Sequence, residues 1–577
     1  MPIIAGMMKW IVSYCFLIVS VLCHAQSLDR MDGIMVLTGT MEEEQLSEQV
    51  IERFESLERH PVPINLASSG RLLSSGLFSQ YQVASLLDYK KANGDILSIE
   101  ELSAVDGFGK RYAEALRPYV SLFSRSMPGM SGRPGMGGSS MIRSVWSPEP
   151  SDLRGSISAK GRVSLDYGTR ASAFLSGKLS LQSGRPEPSY GYTFHAVWNG
   201  RAHLDRIIAG DFNARFGQGL TCWSGFSMSG LSASSSMLRR PTGLSASAST
   251  AGTGLRGLAA ASSWGRISLS VFAGLPWYED GKWQDRIIPG FNAACMMRYG
   301  SVSITGISRM SWDGDCDLSR VGADARFCIK GVDIFGEVAA DLAAMSMAGL
   351  GGVIFPMGKS RLGLVGRYYP MNSSREFSGA VRSGTYVKDE LGAGLSFERG
   401  SMVVATDYYR KLSTGREQYR IMLTDQLAIG PVWQLKPKFS YRSDLRTEVR
   451  LDFVRTMVPW TSTVRAHWLH CSGHAGLVYY EHGYRIDALD VFLRATVFHV
   501  DSWDDRIYTY ERDAPGNFSM PAYYGRGAGL AANVAWKPRL DKGRLKMYAT
   551  LAYKHAVKPG REPEDSASLR LQCAFDF

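Results

Sequence analysis

The sequence predicts a mainly β protein: a large antiparallel transmembrane β-barrel of about 22 strands, with a small all-α domain at the N-terminus. Three observations carry that expectation. The final stretch, Ser566 to Phe577, alternates. Leu569, Leu571, Cys573, Phe575 and Phe577 fall on one face, and Ser568, Arg570, Gln572, Ala574 and Asp576 on the other. One apolar and one polar face at a period of two suits a strand between hydrocarbon and water. The same period recurs along the chain from residue 154 onward. Finally, no uncharged apolar run of about 18 residues follows residue 25, so a closed barrel is the remaining way to satisfy the backbone in a bilayer.

Taken in order, residues 1–25 read as a secretory signal peptide: Lys9, the apolar run Trp10 to Cys23, then Cys23-His24-Ala25 before Gln26. Cys15 follows Tyr14 and Cys23 follows Leu22, which does not suit lipidation. The remaining cysteines, at 222, 295, 316, 328, 471 and 573, are scattered and read as isolated thiols; Cys316 and Cys328 are close enough in sequence to suggest a local bridge.

Residues 26–60 form an acidic segment. Leu46, Val50, Ile51, Phe54 and Leu57 recur at helical spacing, so an amphipathic helix is expected from about 40 to 58, its glutamates making a solvated face. Residues 61–123 carry short helices separated by Gly-containing turns. Ser98-Ile-Glu-Glu101 has the form of a capping box, and Asp106-Gly-Phe-Gly109 breaks the pattern before a new helix from Lys110.

Three stretches, INLASSGRLL, VASLLDYKKANGDILSIEEL and VDGFGKRYAEALRPYV, match in order and spacing the helix-hairpin-helix pair of ComEA-type competence proteins, which this region resembles. The resemblance implies a nucleic-acid phosphate site on backbone amides of the hairpin, carried here by Gly107, Gly109, Lys110 and Arg111. The first hairpin departs from the pattern, with Gly76-Leu-Phe-Ser in place of Gly-Ile-Gly. Charge argues the other way. Residues 27–123 hold 15 acids and 9 bases, and residues 60–123 hold six of each. Sequence-independent DNA affinity needs an excess of cations, so a structural role or docking to an unknown periplasmic protein is the leading reading of this domain and DNA binding the alternative.

Residues 124–153, rich in Gly, Ser, Pro and Met, read as a flexible linker. Their methionines, Met127, Met130, Met136 and Met141, lack the His or Cys that a metal site would add. Residues 154–577 read as the barrel, with strands expected at Arg154–Leu165, Ala171–Gln182, Gly191–Asn199, Arg266–Ala273, Arg361–Tyr368, Leu391–Glu398, Thr447–Arg455, Thr463–His470, Leu489–Phe498, Gly527–Trp536 and Leu545–Lys554. In Thr447–Arg455, Val449, Leu451 and Phe453 face one way and Glu448, Arg450 and Asp452 the other, as a wet lumen requires. Twelve of the 13 Trp lie beyond residue 140, where interface anchoring is their expected role. Residues 124–577 carry a net +16, a charge that favours anionic solutes, lipopolysaccharide or nucleic acid.

The C-terminal stretch resembles the closing strand of bacterial outer-membrane barrels, whose terminal Phe is the usual assembly signal. That implies contact of Phe577 with the barrel assembly machinery, in addition to outer-membrane lipid. Two further segments, Ala209 to Gly225 and Asp505 to Gly527, do not look like generic strand. With the hairpin domain they resemble a family of Bacteroidota outer-membrane proteins that join a helix-hairpin-helix region to a large barrel. Asp211, Arg215, Arg256, Arg506 and Glu511 are expected to form an internal charge network holding a folded-in loop, the alternative being turns and bulges at the rim. His467, His470, Cys471 and His474 make a metal-like cluster, but strand alternation sets 467 and 470 on opposite faces. No nucleophile-elbow, zinc-protease, phosphate-loop or dinucleotide motif appears. The expectation is therefore an outer-membrane channel, transport or assembly component without catalytic residues, metal or cofactor, its helical domain in the periplasm.

Overall fold

The computed structural model describes residues 30–577 apart from 41–42, 44–45, 47, 125–135, 150–151, 169, 183–186, 201–202, 226, 228, 250–253, 277–285, 312, 315, 374–375, 518, 539 and 542. The signal-peptide expectation and Met127 and Met130 fall outside the described residues. From Met136 to Asp576 the chain forms one closed antiparallel barrel of 24 strands. Each strand pairs with its sequence neighbour. The last, Glu564–Asp576, closes on the first, Met136–Glu149, with Ser139 opposite Asp576 and Trp146 opposite Leu569. Beyond the ladder, the amide of Phe577 donates to Gly138 O at 2.9 Å, and the Gly138 amide to Phe577 O at 3.0 Å.

The expected strands are present. Ala171–Gln182 has the expected bounds, and the others extend by one to three residues at one or both ends or shift slightly. Two expectations are corrected. The strand number is 24 rather than about 22, and the barrel begins at Met136 rather than 154, inside the stretch read as linker. Glycine and serine hid this strand, because small residues satisfy either face of a sheet. Met141 and Arg143 are nevertheless buried on its inner side, while Ile142 and Trp146 face outward.

The alternation places faces as expected. Leu451 and Phe453 are exposed on the outside, and Arg450 and Asp452 are buried within. Arg465 pairs with Asp452 through two bonds of 2.6 and 2.8 Å, and Arg494 with Glu481 at 2.9 and 2.6 Å. The exterior is a belt of exposed Leu, Val, Phe and Tyr, including Leu175, Leu364, Val478, Leu493, Val497, Leu530 and Leu551. A continuous apolar surface of this size must face hydrocarbon.

At one mouth most strands join through two-residue turns, such as Gly400–Ser401, where φ of +62° suits a glycine. At the other mouth lie the long connections 216–254, 370–389 and 501–524. The mouths are therefore asymmetric.

Among the described residues the N-terminal domain holds six helices: α1 (Arg30–Thr38), α2 (Glu48–Arg59), α3 (Ser69–Ser74), α4 (Gln80–Asn93), α5 (Ile99–Ala104) and α6 (Gly109–Leu116). The short strands Val62–Pro63 and Val120–Ser121 pair in parallel and bring its two ends together. Ile34, Leu37, Phe54, Leu72, Leu77, Leu86, Ile96, Leu102 and Tyr119 fill its core. Ser98 caps α5, accepting from the Glu101 amide at 3.0 Å, but the Glu101 carboxylate turns to the amide of Leu97, so the expected box is half made. The complete box lies at α4, where Ser79 and Gln82 exchange bonds of 3.2 and 2.8 Å.

Candidate functional site: the occluded lumen

The helical domain sits against the inner wall, at the mouth with short turns. Helix α2 presents a row of polar side chains at helical spacing to two adjacent strands, Met136–Glu149 and Asp152–Tyr167. Glu52 meets Lys160 at 2.8 Å, and Glu55 grips Arg162 through bonds of 2.9 and 3.2 Å. Arg59 donates to Ser139 Oγ at 2.7 Å, and His60 Nε2 stands 3.1 Å from Asp166. Lys160 and Arg162 are two apart on a strand and so share a face; Glu52 and Glu55 are three apart on a helix and do likewise. The match seats helix on wall. The acidic run is thus corrected: part of it is an internal anchor, because the wall supplies Lys160 and Arg162 where solvent was expected.

Burial pushes the Glu55 carboxyl up, but the charge and hydrogen bonds of Arg162, with Arg59 and Arg30 nearby, overrule it and hold the group at about 2. A second contact is steric. Gly70, at the start of α3, leaves so little room that a Cβ would stand 2.8 Å from Asp205 Oδ2 of the wall.

From the other mouth the long connections fold inward. Glu337, buried in the wall, accepts from the amides of Gln218, Leu220 and Thr221 and from the Thr221 hydroxyl at 2.6 to 3.1 Å. That one carboxylate holds the start of loop 216–254. Deeper in the loop, Ser235 Oγ donates to Gly39 O at 2.6 Å, and Arg240 donates to Leu37 O and Tyr112 Oη at 2.7 and 3.0 Å. Loop 501–524 is tied by Arg512 to Glu481 and by Arg570 to Asp513, and Arg143 donates to Pro515 O and Gly516 O. A Cβ at Gly516 would lie 2.7 Å from Glu55 Oε2, so this loop reaches the helical domain too. Helices from one end and loops from the other meet inside the barrel.

The five residues expected to form one network do not converge. Asp211 and Arg256 pair at 2.6 Å, beneath the outward-facing rings of Tyr192 and Phe194. Arg215 donates to Ser224 O at 2.9 Å and stacks over Trp223. Arg506 binds Trp503 O and Tyr508 Oη, both at 2.8 Å, and Glu511 accepts from Tyr523 Oη at 2.5 Å. A single network is therefore corrected to separate local contacts: Asp211 and Arg256 face each other on two paired strands, Arg215 ends its strand beside Ser224, and Arg506 and Glu511 belong to loop 501–524.

Gly107, Gly109, Lys110 and Arg111 are brought together where the turn after α5 runs into the first turn of α6, and all four are exposed. Gly107 and Gly109 have φ of +84° and +67°, and Phe108 between them packs on Phe78 of the first hairpin at 6.0 Å. His467 lies 3.1 Å from Glu448, whereas His470 stacks on His474 across the turn, so the histidines divide between two sites. Cys316 is exposed, Cys328 buried, and both are free thiols.

Sequence reasoning missed Lys160, Arg162 and Asp205 as receptors for the helical domain, and Glu337 as the loop anchor. The signal for the first pair lay in the matched spacing of strand cations and helix acids.

The closed sheet, the apolar exterior and the polar interior define a membrane-spanning β-barrel of the outer-membrane kind, filled by its own N-terminal helices and long loops. No protein family and no curated protein matches the sequence. Among solved structures, the chain aligns over 77% of its length with 99% of the P pilus usher (PapC) translocation pore, at 9% identity and a TM-score of 0.36. It aligns over the same share with 98% of the outer membrane protein opdK from Pseudomonas aeruginosa, at 8% identity and a TM-score of 0.26. A third alignment, at 8% identity and a TM-score of 0.37, covers 77% of this chain and 82% of a ferric enterobactin receptor mutant (PfeA) from the same organism.

Proposed function

We propose that the chain is an outer-membrane channel or transport component, closed at rest by its own helical domain, with the short-turn mouth facing the periplasm. The observation that carries this reading is the seat of α2. Glu52 and Glu55 hold Lys160 and Arg162 by charge, not by an apolar interface. Ion pairs exchange readily for water and counter-ions once wetted, whereas a packed apolar seat would not. The domain is a plug able to leave. Its outward surface, with Leu97, Lys110 and Arg111 exposed, is where a periplasmic protein would dock to draw it out.

The test is solute permeation into proteoliposomes containing the full chain, compared with a form lacking residues 30–123. Low permeation by the full chain and high permeation by the shortened one supports the reading; equal permeation sinks it.

A second reading is favoured by the exposed turn at Gly107 to Arg111. There the same barrel would take part in DNA uptake, with the turn gripping phosphate. DNA binding by the full chain across a salt series, with Lys110→Glu as control, separates the two. Binding that weakens steeply with salt and is lost in the variant supports DNA uptake; binding that is absent or unaffected by the substitution removes it.

A further inference from the structure

Between the helical domain and the wall lies a cavity of about 110 Å³. Four guanidinium groups line it: Arg71 from α3, Arg240 from loop 216–254, and Arg206 and Arg326 from the wall. Two carboxylates, Asp205 and Asp324, face them, and both already accept from serines, Asp205 from Ser263 at 3.0 Å and Asp324 from Ser303. Arg206 donates to the Asn199 side-chain oxygen and to Leu244 O, and Arg240 to Leu37 O and the Tyr112 hydroxyl. All four of those acceptors are neutral. Arg326 stands 3.7 Å from the Asp333 carboxylate.

A fifth cation stands behind them. Arg53 of α2 and Thr242 both press on Gly76, where a Cβ would lie 2.7 Å from Arg53 Nη1 and 2.8 Å from Thr242 Cγ2. Arg53 Nε and Thr242 Oγ1 are buried and have no hydrogen-bond partner among the described residues. Burial and the neighbouring charge of Arg240 push the Arg53 guanidinium down to about 10. Cations drawn partly out of water, against neutral acceptors and against one another, are costly. The cost falls if an anion enters and takes up the excess charge. Wall strands separate the cavity from the bilayer, so that anion comes from solution.

We propose that this cavity is a binding site for a small oxyanion, a phosphate or carboxylate group, held chiefly by Arg71 and Arg240. The polar lining of Asn292, Ser268 and Ser270 completes a site suited to an anion that keeps part of its hydration. The inference requires the helical domain to be seated in the lumen, but it does not require the barrel to conduct.

The experiment is thermal unfolding of the full chain in detergent, at constant ionic strength, as chloride is exchanged for inorganic phosphate or for acetate. The expected result is a saturable rise in melting temperature with one or both anions, and the stronger of the two identifies the group. Arg71→Gln should raise the half-saturating concentration about tenfold or more. Without added oxyanion the same variant should melt no lower than the parent, because it relieves repulsion. Arg117→Gln, on the outer surface of the domain, should behave as the parent. No saturable rise with either anion, or a rise undiminished in Arg71→Gln, overturns the proposal.

Discussion

Glu55 of the plug and Arg162 of the wall meet through two charge-assisted hydrogen bonds, 107 residues apart in sequence and both largely shielded from solvent. Removing one partner of a buried pair strands the other, at a cost of about 3–5 kcal/mol. The double variant Glu52→Gln, Glu55→Gln should therefore shift plug opening by roughly a hundredfold or more. Planar-bilayer recordings should show frequent long openings in the variant and rare ones in the parent; indistinguishable traces would refute the latch.

Acid should loosen the same seat. The Glu55 carboxyl, held at about 2, lies below its ordinary value of 4.5, so its contribution is fully present above about pH 4.5 and is lost as pH falls toward 2. Conductance measured from pH 7 downward should stay flat to about 4.5 and then rise. In Glu55→Gln the rise should be missing or much reduced.

Gly70 tests the steric part of the seat. A valine there would place carbon against Asp205 Oδ2, which a Cβ alone would meet at 2.8 Å. The plug should sit displaced, and limited proteolysis of the folded protein should cut within residues 60–123 several times faster than in the parent.

Glu337→Ala removes the acceptor for three amides and a hydroxyl of loop 216–254. Leaving such buried donors unsatisfied costs about 1–3 kcal/mol each, enough to free the loop. Cysteine labelling at Thr221→Cys by an impermeant reagent on intact cells should go from slow to rapid; unchanged labelling would mean the loop is held elsewhere.

Deleting Phe577 removes the pair of backbone bonds to Gly138 beyond the end of the ladder, and the residue expected to contact the assembly machinery. The folded, heat-modifiable form on cold electrophoresis should fall at least severalfold, with Asp576 left in register opposite Ser139.

Much of the wall was legible, because a period of two survives any choice of partner. The inner row of Arg450 and Asp452 and the outer row of Leu451 and Phe453 needed no knowledge of the neighbouring strand. The closing strand was legible for the same reason, with Gln572 inside on Arg143 and Leu571 outside. The first strand was not, since its glycines and serines carry no amphipathic signal. Where the helical domain sits was not legible either. Local pattern names α2 and its acids, but which cations they answer depends on contacts more than a hundred residues away.

Closing the sheet between its last and first strands also sets an order of events. Until Glu564–Asp576 joins Met136–Glu149 the wall has a lateral seam, and afterwards it has none. Helices α1 to α6 precede the first strand and leave the ribosome before every strand that will surround them. Biogenesis must therefore either wrap the nascent wall around a domain already folded or pass that domain through the finished rim. The two routes differ in whether a mature barrel, once emptied, can ever be restoppered.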